Sequence, residues 1–547
     1  MDNLIRKIFF FKINFYYISA FLFFIFYCFV NYFSIHPDAF WIYGISLKSK
    51  FSQVIFKDYS FQHAPYINYF YDLLMIIFRD TFNALFFLGY IQSIIAAYLS
   101  IIICKDLLID EFTKKICFVV TLFSFNLGIL FFFQDYYTFL IGFIALYLTF
   151  IKNKFILGTF FLSTVYFLKQ TFSITFIFIF LLILFIELIF EKKKISQKLL
   201  KFCLKIFILI LFTFFHLLII FIFSDFKKFY NEVFLFMFDY SKFHSRINFF
   251  DYISGIFFLL PNINNPINYF KSFSFERISY FQIVFYTFFR LPTFFFNLYL
   301  VYKIFNWNNK KFKLLLIVSL STILPGPLLG RLYVDSIFFY PLFFYFLIFF
   351  FIKNFKKNNI IKKNYKKILI IYSVLILFFL SLYTLKFRFN YFHFSKNYTI
   401  KSEKHSFLNI HKSPFTRPAP YNNFDFDFDD FRDMNAYITR NLIFKIYVLG
   451  QNSMHLVHST SQPVLNQDLG SEMSELEEKW KTKRFGYRNE LFFDRFVLDL
   501  SIKDPEYILC EKRDLDYFFN TFNINPVKNY FLVFENKTFQ LFKKKNN

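Results

Sequence analysis

Long apolar segments recur along most of the chain and limit its fold more than any other feature. A helix needs about 20 apolar residues to cross a lipid bilayer. Segments that reach or approach this length occur at 8–33, 82–103, 116–133, 136–151, 155–168, 171–190, 199–224, 279–304, 312–330, 334–352 and 368–385. The first follows a short basic stretch, but it is too long for a signal peptide and is interpreted as a span. The sequence therefore predicts an α-helical polytopic membrane protein with about eleven spans.

Basic residues lie between the apolar segments in an alternating pattern. The chain has 62 Lys and Arg against 37 Asp and Glu, a formal charge of +25. About 22 of these bases fall in residues 1–7 and in five short segments: 104–115, 152–154, 191–198, 303–313 and 353–367. The short turns between them, 134–135, 169–170 and 331–333, carry only Lys169 and Arg331. Because cytoplasmic loops of membrane proteins are enriched in Lys and Arg, the basic segments and the N-terminus are predicted to be cytoplasmic.

Three longer segments then face outward: 34–81, 225–278 and the residues that follow the last span. The sequence accordingly divides into a multi-span transmembrane domain, 1–385, and an extracytoplasmic soluble domain, 386–547. The second part has a length that is typical of a domain. Its mixture of short strand and helix patterns predicts a small α/β domain.

The predicted elements of the C-terminal domain follow from hydrophobic periodicity. Three segments, 444–450, 505–510 and 528–534, are predicted as β-strands, and 471–483 and 489–501 are predicted as helices. The acidic stretch FDFDFDDFRD before them is interpreted as a solvated linker into the domain. A strand, an acidic loop and a weak cation site are the alternatives for this stretch.

Polar residues in the first outward segment are candidates for a functional site. This segment contains HPDAFWIYG and then FKDYSFQHAPY, with Asp38, Asp58 and His63 close to the membrane surface. Desolvating an ionisable group is costly, so such residues need a partner or a role. A structural role is open for Asp38, which could cap a helix that begins just after it.

A second group of polar residues recurs where the short outward turns lie. Asp135 follows the third span, Lys169 and Gln170 fall between the fifth and sixth, and Arg331 and Tyr333 lie between the ninth and tenth. Ionisable residues at membrane depth are functional candidates by default. Snorkelling to the interface explains Lys169 or Arg331 alone. It does not explain why acids and bases recur at one membrane face.

This arrangement resembles the GT-C superfamily of polyprenyl-phosphate-sugar-dependent glycosyltransferases, in particular bacterial relatives of the dolichyl-phosphate-mannose–protein mannosyltransferases. Those enzymes open with a span and an Asp-containing loop, similar to the loop with Asp38, and continue with a segment similar to FKDYSFQHAPY. Their second acid is matched by Asp135, their Thr-Lys-Gln turn by LKQT at Lys169, and a later Gly-Arg-Tyr motif by GRLYVDSIFFYP at 330–341. Here an alanine follows the first Asp where the family usually has Glu, and Asp-Ser replaces a His-Tyr pair in the last motif.

The resemblance implies sugar transfer by a single displacement with inversion at the anomeric carbon. Asp38 would take the proton of the acceptor, and Asp135 would orient the acceptor or a cation. Lys169 and Arg331 would hold the departing lipid phosphate. The other candidates for substrate binding are Asp58, His63, Gln170 and Tyr333.

The resemblance also implies the partners and the location of the protein. The donor would be a polyprenyl-phosphate-linked sugar, the acceptor a glycan, lipid or protein, and membrane lipids would surround the spans. No organic cofactor is expected, and the need for a divalent metal is open. Nucleic acid is not expected as a partner because no basic stripe suited to a groove is present. The predicted location is the bacterial inner (plasma) membrane, with the N-terminus in the cytoplasm and the C-terminal domain outside.

Three other classes of function remain open from the sequence. A transporter or flippase would show internal repeats and broken helices near the middle of the membrane. No repeat is found, and the charged residues lie at one face of the membrane and not at its midplane. An O-antigen ligase or polymerase would use Arg and His in a large outward loop, and Lys242, His244 and Arg246 keep that alternative open. A non-catalytic membrane scaffold is the third. A single outward cavity lined by the candidate acids and bases would favour the transferase.

Overall fold

The structure is a computed structural model, and the residues that it describes are 15–33, 47–48, 53–59, 65–66, 68–70, 73, 77, 81–124, 134–191, 194–235, 310–323, 366–367, 369–371, 373–375, 377, 428–449, 453, 456–457, 464–465, 500–512, 515–516 and 525–545. The chain divides into two compact units. Unit 1 contains Met1–Val30, Phe86–Ile219 and His244–Phe387. Unit 2 contains Asn31–Leu85, Ile220–Phe243 and Arg388–Asn547.

Helices make up most of the described residues. The longer ones are α1 (Phe15–Phe33), α2 (Thr81–Asp106), α3 (Glu111–Ser124), α4 (Gln134–Phe150), α5 (Phe155–Leu168), α6 (Gln170–Phe190), α7 (Ile195–Phe223), α8 (Lys310–Ile323) and α9 (Phe428–Arg440). A short helix, Phe226–Phe229, and a π-helical turn, Tyr230–Leu235, follow α7. Each of the helices α1 to α8 overlaps a predicted span. The predicted spans 279–304 and 334–352 lie outside the described residues.

The helices have the apolar character that a membrane protein needs. Three stretches of the described residues are long and apolar enough to cross a membrane: Phe87–Asp106, Ser173–Phe190 and Ile195–Phe223. Shorter apolar helical stretches occur at Phe15–Cys28, Tyr137–Phe150 and Phe155–Leu168. The chain is therefore mostly helical with apolar helices of spanning length, whereas the count of about eleven spans stays a prediction.

Helices α4 and α5 form a closely packed hairpin because α5 has a glycine where the two backbones meet. A Cβ atom at Gly158 would lie 2.7 Å from the carbonyl oxygen of Ala145, and closer still to the hydroxyl of Thr149. Small residues allow helices in a membrane to approach in this way. The turn at 151–154 joins the two helices, so they run in opposite directions.

Aromatic pairs align α4 with α6. The rings of Phe139 and Phe176 meet edge to face with centroids 5.7 Å apart. Further along both helices, the ring centroids of Phe150 and Phe180 are 5.5 Å apart. The order of these contacts shows that α4 and α6 run in the same direction. All four aromatic rings belong to the main buried cluster of unit 1.

Charged side chains connect the helix ends at which the predicted basic segments lie. Asp106, the last residue of α2, accepts a hydrogen bond of 2.6 Å from the hydroxyl of Tyr147 and pairs with Lys152 at 3.2 Å. Hydrogen bonds with Tyr147 and with Asp106 raise the pKa of Lys152. The hydroxyl of Tyr16 likewise donates to Glu111, the first residue of α3, at 2.9 Å. These contacts join the end of α2, the α4–α5 turn and the starts of α1 and α3.

A second group of charges joins α6, α7 and α8. Glu187, in the last turn of α6, forms ion pairs of 3.0 Å with both Lys205 of α7 and Lys313 of α8. Lys201 lies 3.7 Å from Glu187 and 3.4 Å from Glu191. The side chains of Glu187 and Lys205 are only 7% and 4% exposed. This group, the Glu187 cluster, is therefore an ion network inside the protein.

Both groups of charges lie at one end of unit 1. The ammonium of Lys205 is 4.6 Å from the ring centroid of Phe150, the last residue of α4, which links the Glu187 cluster to the α4–α5 turn. We call this end, defined by Asp106, Lys152 and Glu187, the basic end. It combines parts of four segments that the charge pattern predicts to share one side of the membrane: 104–115, 152–154, 191–198 and 303–313. Their grouping agrees with that pattern, while the side that they face stays a prediction.

Unit 2 contains a small four-stranded sheet. Its strands are β1 (Ile446–Leu449), β2 (Tyr507–Glu511), β3 (Tyr530–Glu535) and β4 (Phe539–Lys544). They lie in the order β1-β2-β4-β3, with β1 parallel to β2 and the other pairs antiparallel. The three predicted strands overlap β1, β2 and β3, so the small C-terminal sheet is confirmed. Residues 500–503 are helical, at the end of the predicted helix 489–501, and the predicted helix 471–483 lies outside the described residues.

The interpretation of the acidic stretch 424–433 as a solvated linker is wrong for its second half. Helix α9 begins at Phe428, and its residues Phe431, Met434 and Ile438 are buried. These residues recur every three or four positions, which is helical spacing. The alternation of Phe and Asp has a period of two residues, but this alternation covers only the start of the acidic stretch. The ring of Phe431 packs against Phe539 of β4, with centroids 6.2 Å apart.

The turn between β3 and β4 is closed by one asparagine. The side-chain oxygen of Asn536 accepts hydrogen bonds from the backbone N–H groups of Thr538 at 3.2 Å and Phe539 at 2.7 Å. Its side-chain nitrogen donates to the carbonyl oxygen of Asp430 in α9 at 2.6 Å. This side chain therefore ends β3, starts β4 and fixes α9 on the sheet.

Unit 2 also includes parts of the two outward segments that precede the C-terminal domain in the sequence. Phe56 packs on Phe229 with ring centroids 5.4 Å apart, and the hydroxyls of Tyr69 and Ser224 are 2.8 Å apart. The three segments predicted to face outward thus contribute to one compact unit. The domain boundary at residue 386 stays a prediction, because residues 388–547 belong to the same compact unit as the two earlier segments.

Candidate functional site

The end of unit 1 opposite the basic end carries three of the predicted site residues. Asp135 is the second residue of α4, Gln170 is the first residue of α6, and Lys169 is the single residue between α5 and α6. Because α4 and α5 are a hairpin of helices of similar length, the start of α4 and the end of α5 lie at the same end. The structure therefore brings these three chain positions to one end of unit 1, which we call the Lys169 end.

Lys169 is held in place by the backbone on both sides. Its own backbone is extended, with φ −154° and ψ 111°. Its N–H donates to the carbonyl oxygen of Val165 at 3.1 Å, and its carbonyl oxygen accepts from the N–H of Ser173 at 3.2 Å. The residue is only 6% exposed, so its side chain is packed inside the protein. A lysine that snorkels keeps its ammonium in water, so snorkelling does not explain a lysine that is buried in this way.

Two threonine hydroxyls at this end are buried and have no hydrogen-bond partner among the described residues. Thr138 lies in the first turns of α4, and Thr175 lies in the first turns of α6, next to the Phe139–Phe176 contact. In the described part of the chain, neither hydroxyl oxygen has a hydrogen-bond partner. Buried polar groups nearly always have a partner, so such hydroxyls call for an explanation. A polar ligand bound at the Lys169 end is one, because it would supply the missing hydrogen bonds.

A histidine that the sequence did not single out lies on the same side of unit 1. His216, in the last third of α7, is buried, and its ring centroid is 5.1 Å from that of Phe167 in the last turn of α5. Its Nε2 lies 3.3 Å from the hydroxyl of Thr164, which donates its own proton to the carbonyl oxygen of Phe160 at 2.9 Å.

Asp58 has a structural role in unit 2. Its carboxylate accepts a hydrogen bond of 2.7 Å from the backbone N–H of Val54, and its own N–H donates to the carbonyl oxygen of Val54 at 2.8 Å. Phe56 inside this turn has a left-handed φ of 61°. The carboxylate of Asp58 thus closes a tight turn. Its predicted role in substrate binding stays a prediction.

A buried lysine lies next to this turn. The ammonium of Lys48 donates to the carbonyl oxygen of Val464 at 3.1 Å and to the side-chain oxygen of Gln53 at 3.5 Å. It also lies 5.2 Å from the ring centroid of Tyr59. Through these contacts Lys48 joins the first outward segment to the C-terminal region within unit 2.

The remaining predicted site residues, Asp38, His63, Arg331 and Tyr333, lie outside the described residues. The expected grouping of Asp38 and Arg331 with Asp135 and Lys169 around one outward cavity therefore stays a prediction. Among the described residues, no group of three or more His, Cys, Asp and Glu side chains is arranged to hold a metal ion.

Sequence reasoning missed the two threonines, His216 and Lys48 for different reasons. A histidine inside a 29-residue apolar helix is a signal that could have been used, because imidazole is rare in such helices. Threonine is common in apolar helices, where its hydroxyl usually bonds to the preceding turn. Only the structure shows that Thr138 and Thr175 depart from this habit. Lys48 and Val464 meet across 416 residues of sequence, which no local pattern can reveal.

Comparison with known proteins does not assign the chain to a class or to a particular protein. No protein-family model, no curated protein and no solved structure matches it.

Proposed function

We propose that this chain is an integral-membrane glycosyltransferase that moves a sugar from a polyprenyl-phosphate donor to an extracytoplasmic lipid, glycan or protein acceptor. The observation that carries the proposal is the Lys169 end of unit 1. The buried residue Lys169 lies there between two apolar helices, at the same end as Asp135 and two buried hydroxyls that have no hydrogen-bond partner in the described part of the chain. An ammonium is suited to a phosphate and hydroxyls are suited to a sugar.

The proposed reaction is a displacement at the anomeric carbon. The acceptor oxygen forms a bond to this carbon while the bond from the carbon to the lipid phosphate oxygen breaks. Asp38 takes the acceptor proton, and Asp135 orients the acceptor. Lys169 and Arg331 stabilise the negative charge that develops on the departing phosphate. Inversion at the anomeric carbon follows from the single displacement.

The donor's lipid tail suits the apolar helices that surround this site. Each methylene buried against apolar side chains contributes about 0.8 kcal/mol, so a long polyprenyl chain can anchor the donor. The proposal includes about eleven spans in the bacterial inner membrane, with the basic end in the cytoplasm. The grouping of basic segments at one end of unit 1 supports this orientation.

Deletion of the gene, followed by mass spectrometry of surface glycans and of lipid-linked sugars, tests the proposal. A transferase predicts the loss of one sugar residue and the accumulation of a polyprenyl-phosphate monosaccharide. Accumulation of a lipid-linked oligosaccharide would instead favour a ligase or polymerase, and unchanged glycans would contradict the proposal.

Complementation of the deletion then tests the site. We expect that Lys169→Met and Asp38→Asn fail to restore the missing sugar, because they remove a phosphate ligand and the base while keeping side-chain size. Removal of one such group lowers turnover about 10²–10³-fold. Lys154→Met, an exposed lysine at the basic end, is the matched control and should restore the sugar. Normal transfer by Lys169→Met at normal protein levels would exclude a role for Lys169.

A further inference from the structure

The Glu187 cluster has more positive than negative charge. Its three lysines, Lys201, Lys205 and Lys313, surround two carboxylates, Glu187 and Glu191, which leaves a net charge of +1. The buried members, Lys205 and Glu187, neutralise each other at 3.0 Å. The excess charge therefore falls on the outer members, and Lys201 is the outermost, with its side chain 35% exposed.

Two more lysines extend this excess along the surface between α6 and α7. The ammonium of Lys198 donates to the carbonyl oxygen of Leu188 at 2.7 Å, so it lies over the C-terminal end of α6. Lys194, just before α7, is exposed. Lys194, Lys198 and Lys201 follow one another at spacings of four and three residues, which places them on one face of the helix start.

Exposed apolar side chains lie beside these ammonium groups. In the first turns of α7, Ile195, Leu199, Leu200 and Leu204 are all exposed. Only 17% of the apolar stretch of this helix is buried in the protein, although it is the most apolar of the three candidate spans. A surface that combines Lys with exposed Leu and Ile is typical of contact with both the headgroups and the acyl chains of lipids.

We propose that the end of α6 and the first turns of α7 bind the headgroup of an anionic phospholipid. The lipid phosphate lies between Lys194, Lys198 and Lys201, and its acyl chains lie along the exposed leucines of α7. The Glu187 cluster fixes the two helices and keeps Lys201 in place, since Lys201 contacts both of its carboxylates. Charge complementarity selects anionic over zwitterionic lipids, because the phosphate of a zwitterionic lipid carries its own cation. This binding surface is independent of the proposed enzymatic activity.

Native mass spectrometry of the full-length protein in detergent tests this inference. The protein is mixed with phosphatidylglycerol, with phosphatidylcholine of the same acyl chains, or with inorganic phosphate. We expect phosphatidylglycerol adducts to exceed phosphatidylcholine adducts. Each removed ammonium should weaken phosphatidylglycerol binding about fivefold, so the double variant Lys194→Ala/Lys201→Ala should lose most adducts.

Two further variants distinguish a specific surface from general attraction. Lys201→Arg keeps the charge and should retain the adducts, and Lys154→Ala removes an exposed lysine elsewhere at the basic end and should also retain them. Thermal unfolding of each variant shows whether it is folded. Equal binding of the two phospholipids, or unchanged binding by a folded double variant, would overturn the proposal. Binding of inorganic phosphate with the same dependence on Lys201 would show an anion site that does not require the lipid.

Discussion

Glu187 is the residue on which the basic end of unit 1 depends most. Its two carboxylate oxygens contact ammonium groups from two different helices, each at 3.0 Å. Lys205 is buried beside it, and burying an ammonium without a counter-charge is expensive. The ion pair therefore adds little net stability, but without it α7 and α8 could not pack against α6 with a lysine buried between them.

We expect Glu187→Gln to destabilise the protein by about 3–5 kcal/mol, because it leaves the Lys205 ammonium buried without its carboxylate. Thermal unfolding in detergent measures this loss. Glu191→Gln is the control, since Glu191 contacts the partly exposed Lys201 at 3.4 Å and its loss should cost less than about 1 kcal/mol.

A double variant tests whether the loss of stability comes from the unpaired charge or from the changed shape of the side chain. Adding Lys205→Met to Glu187→Gln removes both buried charges, so we expect it to recover part of the lost stability. If the double variant is less stable than either single variant, the buried charges are not the cause.

At the scale of elements, the hairpin of α4 and α5 determines how the Lys169 end is built. Gly158 lets α5 lie against the backbone of α4, and this close packing fixes the level of Lys169 relative to the start of α4. A small shift of α5 along α4 would therefore change the level of Lys169 relative to the start of α4.

Gly158→Ala is expected to open this hairpin, because the new methyl group would lie 2.7 Å from the Ala145 carbonyl oxygen and cannot be accommodated by a side-chain rotation alone. We expect a loss of about 1–3 kcal/mol in thermal unfolding, which is typical of overpacking. Leu157→Ala, at the neighbouring exposed position, is the control and should change stability little. A Gly158→Ala protein as stable as the wild type would show that the hairpin is not limited by this contact.

The elements themselves were largely predictable, for a physical reason. Apolar runs of spanning length specify helices by composition alone, and the bounds of α5 match the predicted 155–168. The acidic stretch before α9 was misjudged because its Phe-Asp alternation hides the helical spacing of Phe431, Met434 and Ile438. Asn536, which separates β3 from β4, also donates a hydrogen bond to Asp430, which is distant in the sequence. The local sequence around the turn therefore cannot predict this second contact.

For the whole molecule, the main prediction concerns sidedness. In a variant without native cysteines, we expect a membrane-impermeant maleimide to label Lys537→Cys, in the exposed β3–β4 turn, in intact cells. Lys154→Cys, in the α4–α5 turn, should react only after permeabilisation, because basic turns stay in the cytoplasm. Mass spectrometry of the labelled protein gives both results. The reverse pattern would invert the predicted orientation, and labelling of both in intact cells would contradict the alternation of spans.

The site was less predictable than the topology because its residues make contacts with residues that are far away in the sequence. Lys169 could be selected by its type and position, but only packing shows that it is buried and not snorkelling. Asp58 was selected on the same grounds, and its carboxylate closes a turn on Val54. A charged residue near a membrane therefore indicates that a desolvation cost must be offset, and the structure is needed to identify the contact that offsets it.

The Glu187–Lys205 pair has a consequence for the synthesis of the protein. The two residues are 18 positions apart on consecutive helices, so both are available as soon as α7 has left the ribosome. A charged side chain in a membrane helix raises the cost of insertion, by at most about 2.5–3.5 kcal/mol when it lies at the centre, and the cost falls when two opposite charges enter together. We therefore expect α6 and α7 to leave the translocon as a pair. Lys313, which follows Glu187 by 126 residues, would join them only after α8 has been made.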